Sequence, residues 1–253
     1  MGFKIRILRA VPAALVAVAF LTACPTGPHG PGASGGTPVA PTPSGPLQGH
    51  EGHPYDVVSG ESLLTILAFR GGALGKAGHN HVIASHDVTG TIYVPEDPLR
   101  ATFELHVPVA QLTIDEPQLR AKEGPDFPTD VPDSAKEGTR KNMLSDALLN
   151  GAQYPEITLL TQHIDAGTAG SPTQVEVRVT VRDQTHIITV PVAYSLDNGQ
   201  LVASGEFPLK QSDLGLTPFS ALLGALQVQD ELHVRFHIVA HPAQVRGPPA
   251  QPR

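Results

Sequence analysis

A two-residue period dominates residues 55–241 and constrains this chain more than anything else in it. Val175, Val177, Val179 and Val181 alternate with Glu176, Arg178, Thr180 and Arg182, so an extended segment here has one apolar and one wet face. Phe103, Leu105, Val107 and Val109 stand against Thr102, Glu104 and His106 in the same way, and Leu232, Val234, Phe236 and Ile238 against His233, Arg235 and His237. Strands of an all-parallel sheet are buried on both faces and read as unbroken apolar runs; alternation points to antiparallel strands instead. The pattern predicts eight, over residues 57–69, 87–94, 101–109, 156–164, 174–182, 186–196, 201–210 and 228–240. Asn198-Gly199 is the clearest hairpin signal between them. An even number of long antiparallel strands with one apolar face predicts closure into an eight-stranded antiparallel β-barrel.

Two segments break the period. Residues 135–149 place Met143, Leu144, Ala147 and Leu148 on one helical face with Gly151 just beyond, which predicts one helix. Thr217-Pro218 followed by residues 219–226 reads as an N-cap and a first-turn proline, which predicts a second, shorter one. Residues 112–134 are polar and Pro-rich and are expected to be a long crossing loop of the kind that often forms a lid.

The ends of the chain read differently. Lys4, Arg6 and Arg9 precede an apolar run over residues 10–21 and then Leu21-Thr22-Ala23-Cys24. A basic region, about a dozen apolar residues and small residues at a cleavage point describe a secretory signal, too short for a membrane span. Leu21-Thr22-Ala23-Cys24 resembles the lipobox of bacterial lipoproteins, which would make residues 1–23 a signal peptide and Cys24 a lipid attachment point. Pro25 at the next position would, by the sorting rule of enterobacterial lipoproteins, leave the protein in the outer membrane, facing the periplasm. Residues 25–52 contain 7 Pro and 8 Gly; residues 24–54 are therefore expected to be an extended tether. Residues 55–241 form the domain, and 242–253 a Pro-rich disordered tail.

Composition removes several function classes. With 17 Lys and Arg against 24 Asp and Glu the net charge is −7, and no basic cluster offers a footprint for nucleic acid. One Cys excludes an internal disulfide. No nucleophile elbow, P-loop, dinucleotide fingerprint or His-Glu-x-x-His is present, so no catalytic residue and no cofactor is assigned and an enzyme is not expected. With no Trp and 12 Phe and Tyr in all, there is little aromatic bulk to plug a barrel, whose interior at eight strands is either filled or holds one small ligand.

Ala152-Gln153-Tyr154-Pro155-Glu156-Ile157 after a helix, the hairpin of residues 177–181, Thr185-His186 and Val190-Pro191-Val192, and then Phe207-Pro208-Leu209-Lys210-Gln211-Ser212-Asp213-Leu214-Gly215 together resemble the YceI-like family over most of residues 55–240. The resemblance implies a lipocalin-like barrel around an elongated apolar pocket, in a secreted or periplasmic protein, with polyisoprenoids or other long-chain amphiphiles as ligands. This chain departs from it at Gly71-Gly72-Ala73-Leu74-Gly75-Lys76-Ala77-Gly78-His79-Asn80-His81-Val82, where many members have a shorter link.

Candidate pocket or core residues are Leu105, Val107, Val177, Val179, Ile188, Val190, Phe207, Val234 and Phe236, between which the alternation does not choose. Lys122, Arg140, Lys141 and Lys210 are candidates for an anionic head group. His79-Asn80-His81, with His86 following, is the one cluster able to carry chemistry. Imidazoles at i and i+2 on a strand face the same way, so His79 and His81 could share a metal, satisfy buried backbone groups at a barrel mouth, or bind the head of an amphiphile. No third metal ligand stands at a recognisable spacing. His106, His163, His186, His233 and His237 read as solvated outer-face residues, and His29, His50 and His53 as loop residues. The expected partners are a long-chain or isoprenoid-like lipid and a membrane reached through the N-terminal anchor. The alternatives are a metal-binding protein or enzyme using His79 and His81, or a structural or interaction lipoprotein with a plugged barrel.

Overall fold

The computed structural model describes residues 50–167 and 172–244. Cys24, the signal segment, most of the tether and residues 245–253 lie outside them. The strands are β1 (His53–Val57), β2 (Leu63–Gly71), β3 (His81–Ser85), β4 (Thr89–Val94), β5 (Thr102–Pro108), β6 (Thr113–Ile114), β7 (Glu156–Asp165), β8 (Thr173–Val181), β9 (Gln184–Asp197), β10 (Gln200–Lys210), β11 (Ser220–Ala221) and β12 (Leu226–Pro242); the helices are α1 (Pro117–Arg120) and α2 (Asp133–Leu144).

Eight of the strands close a ring in the order β1, β4, β5, β7, β8, β9, β10, β12, every pairing antiparallel. Tyr55 shows the closure, opposing Ile92 on one side and Pro242 on the other. The expected barrel is therefore present, and closure removes the exposed edges an open sheet would carry. β2 and β3 extend the hairpin of β1 and β4 past a bend: β2 runs along β12 from Gly71 opposite Gln227 to Leu63 opposite His237, and β3 pairs β2 and the short β6. Ser62 holds the bend, donating its hydroxyl to Val58 O (2.9 Å) and accepting Val239 N–H (3.0 Å).

Three local expectations are corrected. β3 was not foreseen, because both of its faces are covered: Val82 and Ala84 face outward but are buried beneath residues 117–131 with Leu67, Leu119 and Phe127. The expected crossing loop is thus ordered and roofs a small second core. The first helix is shorter than 135–149, since Ser145 is extended (ψ 164°) and stops it after Leu144. The second helix does not form; Phe219–Leu226 holds β11 and a single tight turn in which Leu222 and Leu223 are left-handed (φ 51° and 56°). The domain also begins earlier than residue 55: His53 and Pro54 belong to β1, and His50 stacks on Tyr93 at 4.4 Å and meets Thr102 Oγ1 at 2.6 Å.

The main core fills the barrel toward the Asn198-Gly199 hairpin, where Tyr55, Ile92, Val175, Val177, Val179, Val190, Leu201, Ile238 and Ala240 interlock. At the other end α2 lies across the opening and turns Met143 inward. There the wall also parts. The β9–β10 ladder runs only from Asp197 opposite Gln200 to Ala193 opposite Ser204, and beyond it residues 211–216 fill the gap, with Leu214 and Leu216 in the core and Gly215 against His186.

Candidate ligand cavity and its histidine corner

Beneath α2 the barrel interior is hollow. A cavity of about 470 Å³ is walled by Ile66, Ala68, Leu112, Met143, Leu149, Ile157, Val181, Leu209, Leu226, Val228, Leu232 and Val234, and its rim includes exposed Ala77, Phe219 and Gln227. That volume is in the range of small-molecule sites. Small residues help make the room: Ala68, Gly78 and Ala135 are part of the wall. A second depression, of about 500 Å³, lies on the outer wall beside Thr65, Pro191, Gly205 and Arg235, away from His79 and His81.

The candidate residues divide between the cavity wall and the packed core. His79, His81 and Val234 line the cavity. Leu105, Val107, Val177, Val179, Ile188, Val190, Phe207 and Phe236 belong to the packed core. Phe236 is fixed by Gly205 on the neighbouring strand, where a Cβ would lie 2.6 Å from the Phe236 ring. None of the head-group candidates reaches the cavity. Lys122, Lys141 and Lys210 are exposed, and Lys210 stands opposite Glu231 on the outer face. Arg140 instead ties α2 down, donating to Leu112 O at 2.6 Å and to Ala110 O.

One corner of the cavity is polar. Gly78 ends a tight turn, after which Asn80 points outward and is held by Arg70 N–H (3.0 Å), while His79 and His81 turn inward with ring centroids 4.4 Å apart. His81 Nδ1 lies 2.8 Å from Asp115 Oδ2, and His79 Nε2 lies 3.6 Å from the same oxygen. Asp115 is fully buried, left-handed (φ 54°), and its Oδ1 accepts Val82 N–H at 2.8 Å and the Arg120 guanidinium at 2.5 Å. Arg120 is equally buried and also donates to Asn80 O and Pro128 O, each at 2.6 Å. Sequence reasoning missed both residues; they sit in the expected loop, and only the β3–β6 pairing carries Asp115 to the histidines.

Burial by itself would push the Asp115 carboxyl up, but hydrogen bonds from His81 and Val82 N–H, with the charges of His81 and Arg120, outweigh it and hold the group below its ordinary value. Asp115 is therefore a carboxylate that only accepts, so the His81 proton sits on Nδ1 and, in the neutral ring, Nε2 presents a lone pair toward the cavity. The nearest group there, Thr139 Oγ1 at 3.5 Å, gives its own proton to Ala135 O. His79 is pushed down by burial and by His81, against the opposing pull of Asp115. The corner thus sets two imidazoles beside a buried carboxylate–guanidinium pair.

His86 does not join this set; it pairs with Glu116 at 2.9 Å. His106 lies between Glu104 and Glu156, and His163 beside Asp165, on the outside as expected. Two ring nitrogens on this face are nonetheless buried, His106 Nδ1 and His186 Nε2, the latter against Gly215.

Comparison with known proteins places these features in a family. Among solved structures the fold is similar to Burkholderia cenocepacia BcnA (15% identity, TM-score 0.52, 73% of this chain and 99% of that one). It is also similar to a polyisoprenoid binding domain from Saccharophagus degradans implicated in plant cell wall breakdown (12%, TM-score 0.48, 75% and 98%) and to the Campylobacter jejuni YCEI protein (10%, TM-score 0.44, 62% and 82%). No curated protein matches. The family model of the YceI-like domain matches residues 67–240, well over half of the sequence, and the chain belongs to the YceI-like family.

Proposed function

We propose that this protein is a lipid-anchored binding protein of the bacterial cell envelope, attached through Cys24 to the outer membrane and facing the periplasm, that takes a long-chain apolar or amphiphilic, polyisoprenoid-like ligand into the cavity beneath α2. The observation that carries this reading is a largely apolar void of about 470 Å³ with His79 and His81 in its wall. An alkyl or prenyl segment entering it gains ~0.8 kcal/mol per methylene removed from water, before ordering costs. The head of the molecule lies at His79 and His81, the imidazoles in a largely apolar wall. A barrel plugged throughout, the structural alternative, is disfavoured by the same void. Native mass spectrometry of the protein purified from its own host is expected to show one bound lipid per chain; a consistently empty protein overturns the reading.

A second reading, metal binding, is favoured by one observation: His79, His81 and Asp115 each offer a donor atom within 4.8 Å of the others. Against it, Arg120 already balances Asp115, and a dication would have to share that carboxylate with a buried guanidinium. Elemental analysis of the wild type and of His81→Ala decides: a stoichiometric metal lost in the variant supports the second reading, and its absence from the wild type removes it.

A further inference from the structure

The cavity rim carries an apolar tip whose exposure is built into the backbone. Between β11 and β12 the chain turns through Leu222, Leu223 and Gly224, all left-handed (φ 51°, 56° and 87°). Glycine or asparagine takes that conformation with little penalty, whereas leucine is disfavoured by its Cβ. Yet both positions are leucine, and both point away from the molecule: Leu222 is 68% exposed and Leu223 completely so. Backbone strained in this way clusters at functional sites.

The tip is fastened to the lip of the cavity. Leu74 N–H bonds Ala225 O at 2.7 Å, and Gly72 packs so closely that a Cβ there would lie 2.5 Å from the same oxygen. Leu74 is itself exposed beside the turn, and Phe219 at its base lines the cavity. Leu74, Phe219, Leu222 and Leu223 therefore make one apolar lip. Residues 71–78 and 217–226 contain no Asp or Glu, and Lys76 is their single charge, in a chain of net −7.

We propose that this lip inserts into the surface of an anionic phospholipid bilayer, so that the cavity mouth opens on the membrane from which its ligand is drawn. A bilayer needs no matching pocket to accept two protruding leucines, whereas a stable protein interface needs ~800 Å² on each side. The absence of carboxylates, with one lysine at the rim, suits the negative surface potential of anionic lipid. The purpose of the contact rests on the ligand reading above; the contact itself does not.

The chain has no tryptophan, so Leu223→Trp in the full chain reports on the tip alone, whatever else holds the protein to lipid. With phosphatidylglycerol–phosphatidylethanolamine vesicles its emission is expected to shift to the blue and to be quenched by lipids brominated near the head-group end of the acyl chain. Ile187→Trp, on the exposed outer face of β9, is expected to remain water-like. Replacing Leu222 and Leu223 by Asn, which accepts the left-handed backbone, should slow transfer of cis-parinaric acid from vesicles to protein by about tenfold or more, with loading from dilute aqueous probe unchanged. No blue shift with vesicles overturns the proposal, as does a shift that needs protein concentration and no lipid, which would make the partner a second copy. Should parinaric acid fail to load from solution, the ligand reading falls, and the tryptophan signal still decides the docking.

Discussion

The two ends of this barrel are made by strands of one pattern and reach opposite outcomes. Toward the Asn198-Gly199 hairpin, inward Val175, Val177, Val179, Val190, Leu201 and Ile238 meet across the lumen and fill it. Beneath α2 the same strands present Val181, Val228 and Val234, but Ala68 and Gly78 share that wall, the β9–β10 ladder has ended, and a void remains. Alternation decides which side chains face inward; the size of the residues facing them and the parting of the wall decide whether the lumen is filled.

Mutations should separate the two ends. The largest effect is expected at the junction, where Asp115→Ala leaves Arg120 buried and unpaired; it should cost about 3–5 kcal/mol in chemical denaturation. Next, Leu201→Ala in the filled end should cost about 2–5 kcal/mol and leave lipid uptake by the folded protein unchanged. Ala68→Leu reverses that result at the hollow end: a leucine growing into the void should change stability by less than about 1.5 kcal/mol and abolish uptake of a long-chain probe. Equal losses of stability at Leu201 and Ala68 would contradict the distinction.

The smallest effect is on pH dependence. His79 is pushed below its ordinary value by burial and by His81, so at pH below about 6.5 the unfolded chain binds more protons than the folded one. Stability is therefore complete above that pH and declines as pH falls through the folded value. Asp115, held low, loses its contribution only at more acid pH, as pH falls through its own folded value. Thermal unfolding between pH 7 and pH 5 should show a slope that His79→Asn flattens.

How much of this was legible in the sequence follows from what each signal measures. Seven of the eight expected strands coincide with observed ones to within two residues because each has one wet face, and the eighth, expected over 57–69, is broken by the bend at Ser62. β3 was missed because residues 117–131 cover its outer face, so Val82 and Ala84 are buried as well. Thr217-Pro218 carries a genuine helix-start signal, but Phe219 N-terminal to the turn and Leu226 beyond it are drawn to the cavity wall, and tertiary packing overrides it. His79 and His81 stood out by spacing. Asp115, 34 residues from His81 and joined to it only through the sheet, had no local mark.

The central claim is that an apolar chain lies beneath α2 and not in the filled end. A long-chain fatty acid bearing a terminal diazirine, photolysed with the full-length protein and mapped by peptide mass spectrometry, tests it directly. Adducts are expected on β2 around Ile66 and Ala68, on Met143 of α2, and on β12 around Val228 and Val234. Adducts at Val175, Val177 or Val190, on the outer groove beside Gly205, or nowhere in the barrel would contradict it.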